Sequence, residues 1–347
     1  MKGDKNMELN SIKQQLINRE HFMLAPYATF SDKSKGRDFE DDDCPIRTCF
    51  QRDRDRIIHS NAWQREKDKT QVITTAFLNE INKNNDKYRT RMTHSLEVAQ
   101  IGRVIAESLR LNADLVEAAA YGHDLGHTPF GHTGEDALNR RYEFGFKHTN
   151  QSIRVVECIE KNGKGLNLTS EVREAIANHS GLVNDMEGVT LETKILPFAD
   201  KIAYLTSDLD DAKTFGIIKM EEIPADVLKA LGTRKSEIIN TLMMGIINTS
   251  YGKPIVKMDD ETFAYMSKLR NWMFDHVYHS DKLNESRAQV DGIINYICDY
   301  YELNPEKMDF ISDPNNIQRS VCDYVASMTD HYALELYQNR RKILMVS

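Results

Sequence analysis

The sequence predicts an all-α protein, and three observations carry that prediction. Apolar residues recur at helical spacing from about Ile12 to the end, alternating strand-like patterns are scarce, and residues suited to capping (Thr93, Asn112, Thr190) stand ahead of the periodic runs. After Thr93, residues His94, Val98, Ile101 and Ile105 follow the spacing i, i+4, i+7, i+11 and define one buried stripe that includes the histidine. Asn112 caps a second helix in which Val116, Ala120 and His123 share a face. Gly126 offers the backbone freedom to end it, which places His123 and Asp124 at its last turn. A third helix begins near Thr190 and runs through LETKILPFADKIAYLTSDLDDA, where Pro197 should introduce a kink because it lacks an amide hydrogen. At ~100° per residue, Asp200, Lys201, Tyr204 and Asp208 fall at about 0°, 100°, 40° and 80°. One side of this helix is therefore polar, as a cleft would require. Beyond Phe215, segments such as SEIINTLMMGIIN and ETFAYMSKLRNWMFDHVYH read as packing helices, without an internal repeat or low-complexity linker. The resulting division is an N-terminal arm and loop (1–50), a core (51–215) and a C-terminal helical region packed on it (216–347).

Composition sets the outer bounds. Of 347 residues, 40% are hydrophobic and 28% charged, an ordinary globular balance. No apolar run approaches the ~20 residues of a membrane span. The polar start, MKGDKNMELNSIKQQLINRE, has no apolar secretory core, and five scattered cysteines suit neither a disulfide framework nor a thiolate zinc cluster. A reducing cytoplasm is the expected location. The net charge of −8 argues against general affinity for nucleic acid. The stretch from Arg47 to Lys69 is locally basic, but a salt-bridged, solvated helix face is its simpler explanation.

The stretch YGHDLGHTPFGHTGE (121–135) gathers three histidines, an aspartate and a glutamate into fifteen residues. One buried histidine is usually a satisfied core residue; this density, with partners elsewhere, asks for more. The helical patterns turn His94, His123, Asp124 and Asp200 inward, giving two imidazoles and two carboxylates. Such a mixed set suits one divalent ion per subunit: manganese, iron, cobalt, nickel or zinc, with magnesium less favoured by imidazole.

The order H, then HD, then D resembles the HD superfamily of metal-dependent phosphohydrolases. More narrowly, the chain is similar to its deoxyguanosinetriphosphate triphosphohydrolase branch from about Gln14 to Tyr337. The blocks that carry the likeness are APYATF, CPIRTCFQRDRDRIIHS, KDKTQV, YRTRMTHSLEVAQIGR, HDLGHTPFGHTGE, FADKIAYLTSDLDDA and DYVASMTDHYALE. The resemblance implies an HD-type helical phosphohydrolase fold with additional C-terminal helices, and a metal on His94, His123, Asp124 and Asp200. It further implies nucleotide phosphates against Arg65, Lys201 and Tyr204, an acid/base element formed by His132 with Glu135, and phosphate contacts at His127 and His148. Asp208, on the face of Asp200 and Tyr204, is placed to accept from a sugar 3′-hydroxyl, and a ring at Tyr204 beside the sugar should disfavour ribose. The chain departs from the branch in having Trp63-Gln64-Arg65-Glu66 where Phe-Arg-Arg-Leu is common, and in Pro45 and Pro197.

The expected activity is hydrolysis of dGTP or several dNTPs to a deoxynucleoside and tripolyphosphate. A deoxynucleoside monophosphatase or nucleotide phosphodiesterase is the alternative enzyme, and a nucleotide sensor or single-stranded nucleic-acid binder the alternative of another class. Besides the substrate, a homo-oligomer is the expected assembly, and a second nucleotide acting as activator is left open.

Overall fold

Asn112 does cap the helix that leads into the histidine–aspartate doublet: its side-chain oxygen accepts the Leu115 N–H at 3.3 Å. The structure is a computed structural model that describes residues 2–71, 89–181, 188–279 and 281–346, with side chains over 12–71, 89–181, 188–279 and 287–339. Val72, which closes the KDKTQV block, and Ser280 and Ser347 of the C-terminal region lie outside the described residues.

In chain order the helices are α1 (Lys2–Met23), α2 (Cys49–Ile58), α3 (Asn61–Arg65), α4 (Arg91–Ser108), α5 (Ala113–Gly122), α6 (Gly131–Arg141), α7 (His148–Arg154), α8 (Glu160–Gly163), α9 (Ser170–Ala177), α10 (Leu191–Thr214), α11 (Ala225–Leu231), α12 (Lys235–Ser250), α13 (Asp260–Met273), α14 (Asp281–Leu303), α15 (Ile317–Ala326) and α16 (Asp330–Val346). Among the described residues the extended backbone pairing amounts to one bridge, Thr70 with Thr90, so the fold is all-α. No described helix is long and apolar enough to cross a membrane.

Three local expectations are corrected. Helix α4 begins at Arg91, with Thr90 as its cap; Thr93 lies one turn inside, where its hydroxyl accepts the Thr90 N–H at 3.2 Å. Helix α5 ends at Gly122, so His123 is the residue that closes it. Gly126 does not terminate that helix but permits close packing on α7: a Cβ there would lie 2.2 Å from Ser152 N. Helix α10, capped by Thr190 Oγ1 accepting the Thr193 N–H at 3.1 Å, runs unbroken through Pro197.

The predicted stripe of α4 is buried, His94 included, and its Val98, Ile101 and Ile105 belong to one hydrophobic cluster with Val116 and Ala120 of α5 and Leu196, Ala199 and Ile202 of α10. Each fully buried aliphatic side chain there contributes roughly 1.5–3 kcal/mol. A second cluster joins α6 to the C-terminal helices, with Phe130, Leu138 and Phe146 packed among Val290, Ile294, Val321, Tyr324 and Ala333. The loop from Asp124 to Phe130 bridges the two clusters. Its residues are neither helix nor strand, yet all are buried.

Candidate active site

Four polar side chains converge where α4, α5 and α10 meet. His94 Nε2 lies 3.1 Å from Asp200 Oδ1 and 3.9 Å from Asp124 Oδ2, while His123 Nε2 lies 3.4 Å from Asp124 Oδ1 and 3.9 Å from Asp200 Oδ1. His123 gives its Nδ1–H to Ala120 O at 2.6 Å, so its Nε2 presents a lone pair; that atom is buried and without a hydrogen-bond partner. An orphaned buried nitrogen costs free energy unless something ligates it. The tetrad therefore fits a divalent ion, held by His94, His123, Asp124 and Asp200. Burial works against charge on Asp124, but His123, His127 and Arg91 hold its carboxyl well below the usual range. Asp200 is likewise held low, against burial, chiefly by the hydrogen bond from His94. Both carboxylates are thus ionised, as ligands must be.

The second histidine group is organised by one carboxylate. Glu135 Oε2 accepts from His132 Nδ1 at 3.0 Å and from His148 Nδ1 at 2.9 Å, and Glu135 Oε1 accepts the His148 backbone N–H at 2.8 Å. Burial would raise Glu135, yet these hydrogen bonds lower its pKa far below the ordinary value. His179 donates Nδ1–H to Ile176 O at 2.7 Å, so its Nε2 can only accept, and it faces His148 Nε2 at 3.2 Å. His148 consequently carries both ring protons. Its pKa is raised, the pull of Glu135 outweighing burial, whereas burial takes that of His179 down to about 3. His127 stacks on His148 with centroids 3.9 Å apart, and burial, then Arg91 and His148, keep it neutral. His132 differs from its neighbours in being 57% exposed, which leaves its Nε2 open to the cavity.

Both groups line one cavity of about 800 Å³, within the range of small-molecule sites. Lys201 and Tyr204 line it too, with Lys201 Nζ bonded to Gly181 O. Asp208 lies deeper: Tyr278 OH donates to its Oδ2 at 2.6 Å, its Oδ1 is buried without a partner, and burial takes its pKa up to about 7. A groove of about 850 Å³ elsewhere, between α1 and α5, contains arginines but no histidine, and Arg54 and Arg103 there are paired with Glu117. Ten of the twelve residues nominated from sequence line the 800 Å³ cavity. His123 is buried behind its wall, with its ring edge-on to that of His179, and Arg65 stands apart. Arg65 lines a cavity of about 20 Å³ formed with Leu125, Gln151 and Asp323, because α3 packs on the far side of the Asp124–Phe130 loop. The basic stretch before it is largely neutralised within the fold, through Arg47–Asp55, Arg52–Asp41, Arg54–Glu117 and Arg56–Asp41 ion pairs.

Sequence reasoning missed several residues of the site. Arg91 is buried and donates to Asp124 Oδ2 at 2.6 Å, while its Nε and Nη2 have no partner. Its position three residues before His94, one helical turn away, was the available signal. His179 had the weaker signal of an isolated histidine after α9. Arg270, Phe274 and Tyr278 come from α13 and the π-helical turn that follows it (Phe274–Tyr278), in a segment that reads as ordinary packing.

Residues 91–205 match the HD domain family and residues 256–339 the phosphohydrolase-associated domain. A deoxyguanosinetriphosphate triphosphohydrolase-like protein of Caldanaerobacter subterraneus subsp. tengcongensis is 45% identical over 336 residues, covering 96% of this chain and 95% of that protein. Proteins of the same description from Clostridium perfringens (43% identical; 92% of this chain, 95% of that one) and Desulfatibacillum aliphaticivorans (41%; 94% and 97%) are similar over the same extent. A solved structure of a hypothetical protein from Aquifex aeolicus is 21% identical with a TM-score of 0.44, covering 82% of this chain and 66% of that one.

Proposed function

The chain belongs to the HD-domain family of deoxyguanosinetriphosphate triphosphohydrolase-like proteins, and from that premise we propose that it hydrolyses deoxynucleoside triphosphates at the α-phosphorus, releasing a deoxynucleoside and tripolyphosphate. The observation that carries this reading is the meeting, at one cavity, of His94, Asp124 and Asp200, with His123 directly behind its wall, a carboxylate-ordered histidine pair and three further cations, Arg91, Lys201 and Arg270.

A divalent ion on His94, His123, Asp124 and Asp200 supplies polarisation of a phosphate oxygen and a lowered pKa for a water. The remaining roles fall to the chain's own groups. Arg91 offers two unpartnered, buried N–H groups beside Asp124, which suits it to a phosphate oxygen next to the metal set. Lys201 and the doubly protonated His148 add positive charge for the rest of the triphosphate, with His127 alongside. His132 keeps one nitrogen on Glu135 and turns the other to the cavity, so it moves the proton that the attacking water loses or that the leaving 5′-oxygen gains. Tyr204, Tyr278 and the free oxygen of Asp208 form the sugar end: two rings that crowd a 2′-hydroxyl, and an acceptor for the 3′-hydroxyl. Arg91 takes the phosphate role that the resemblance gave to Arg65. We further propose that residues 51–215 and 216–347 divide this labour, the first holding the metal and proton-transfer groups and the second supplying Arg270 and Tyr278, in a homo-oligomeric, cytoplasmic enzyme.

The test is incubation of the Mn²⁺-loaded protein with each of the four dNTPs, followed by phosphorus NMR. Tripolyphosphate is the expected product; orthophosphate or pyrophosphate alone would overturn the reading.

A further inference from the structure

The catalytic histidine loop is held from outside the HD match. Asp330, the first residue of α16, is fully buried, and its two carboxylate oxygens reach different segments: Oδ1 accepts the Phe130 N–H at 2.9 Å and Oδ2 accepts the Thr70 N–H at 3.1 Å. The neighbouring Lys69 makes the reciprocal connection, Nζ donating to His127 O and to Ala326 O, the latter at 2.9 Å on the last residue of α15. The Lys69–Gln71 segment is in turn fixed to α4, because Arg91 N donates to Lys69 O at 3.0 Å and Gln71 N to Arg89 O at 3.3 Å. One aspartate and one lysine thus tie together the α15–α16 turn, the segment before α4, and the loop on which His127 sits and from which α6 carries His132 and Glu135.

That loop needs the tie. Phe130 has φ +62°, a left-handed conformation that costs a non-glycine residue free energy, and Gly131 follows at φ +57°. A Cβ at Gly131 would come within 2.9 Å of Arg91 Nη2, so loop and arginine are already in contact. Phe130 itself is anchored in the hydrophobic cluster of the C-terminal helices. His132 begins one residue later, and small displacements of a proton-transfer group are expensive in rate.

We propose that Asp330, assisted by Lys69, is a positioning residue for His132: the phosphohydrolase-associated region sets the geometry of the catalytic loop by bonding the Phe130 N–H and, through Thr70, the segment whose Lys69 holds His127 O, without touching substrate. This rests on the reading of the site given above, and the test keeps the two separable. Full-length wild type, Asp330→Asn and Lys69→Met are compared after Mn²⁺ loading for metal content, thermal melting, dNTP turnover and amide hydrogen exchange. Asp330→Asn keeps the volume but replaces one of the two acceptor oxygens with an amide nitrogen, which donates and cannot accept. Expected are a kcat lower by roughly 10- to 100-fold with KM within about twofold, unchanged metal content, and faster exchange in peptides spanning residues 66–71 and 124–135. Lys69→Met should show the same pattern, and carries the test if Asp330→Asn does not fold. Exchange that speeds up only within 326–346, or a kcat equal to wild type, overturns the proposal. If wild type itself produces no tripolyphosphate, the functional reading fails, while the exchange of 66–71 and 124–135 still decides the tie.

Discussion

His132 Nδ1 lies 3.0 Å from Glu135 Oε2, and the ring is far more open than those of His94, His127, His148 and His179. A carboxylate behind an imidazole fixes its tautomer and makes the opposite nitrogen a better proton acceptor. Substitution His132→Ala should therefore lower kcat by roughly 10²- to 10⁴-fold with near-normal metal content and KM. Steady-state kinetics with metal analysis checks this; loss of metal would show that His132 supports the tetrad instead.

Glu135 serves two rings and a backbone amide, so it does more than the sequence position beside His132 implies. Glu135→Gln frees His148 as well as His132 and should cost at least as much in kcat as His132→Ala. A milder effect would mean that His148 holds its proton without help from Glu135, a point that histidine NMR of the two variants resolves.

Removal of a metal ligand has a different signature. Asp200→Ala takes away one of the tetrad's two carboxylates and should lose bound metal and turnover together. Arg91→Ala should retain metal while KM for the triphosphate rises, and Arg65→Ala should change neither, because Arg65 faces a separate cavity. Metal analysis beside KM for the three variants tests the assignment; a KM effect confined to Arg65→Ala would reverse it.

The placement of the candidate ligands was legible in the sequence because they sit on or at the ends of amphipathic helices. His94, His123 and Asp200 could be placed from period and caps, since a helix fixes which residues share a face. Arg65 illustrates what a resemblance cannot supply: a matched motif gives the residue type but not which neighbours it meets, and here Arg65 lines a separate small cavity with Leu125, Gln151 and Asp323. Helix ends were off by about one turn for the same kind of reason. Thr93 has the chemistry of a cap, yet Thr90 can form a reciprocal pair with it and so starts the helix earlier. Tyr278 and Asp330 were invisible because each acts across more than sixty residues of sequence, on Asp208 and on the Phe130 loop respectively.

Asp208 gives a pH prediction with a definite sign. Burial raises its folded-state pKa from the ordinary carboxylate value near 4 to about 7, so the fold favours the protonated form. The stability this contributes is complete below about pH 4 and is lost as pH rises toward 7. Relative to wild type, Asp208→Asn should gain stability progressively between about pH 4 and 7, with a plateau above, on the order of 4 kcal/mol at the upper end, read as a rising difference in melting temperature. A difference independent of pH would show that Asp208 is solvated.

The sugar end predicts a preference for deoxyribose. Tyr204 stands beside Arg270, whose Nε donates to its hydroxyl at 3.3 Å, and Tyr278 is fixed by Asp208, so neither ring moves aside freely for a 2′-hydroxyl. The kcat/KM for dGTP should exceed that for GTP by about 10²-fold or more, and Tyr204→Ala should narrow the gap. Equal values for the two nucleotides in the wild-type protein would remove the sugar assignment.

The central claim is attack at the α-phosphorus, and turnover of a dNTP in ¹⁸O-labelled water measures it directly. Cleavage there transfers one water oxygen to the former α-phosphorus and leaves the 5′-oxygen with the deoxynucleoside. The label should appear in tripolyphosphate, on a terminal phosphorus, with none in the 5′-hydroxyl; label in orthophosphate or in the deoxynucleoside would contradict the account.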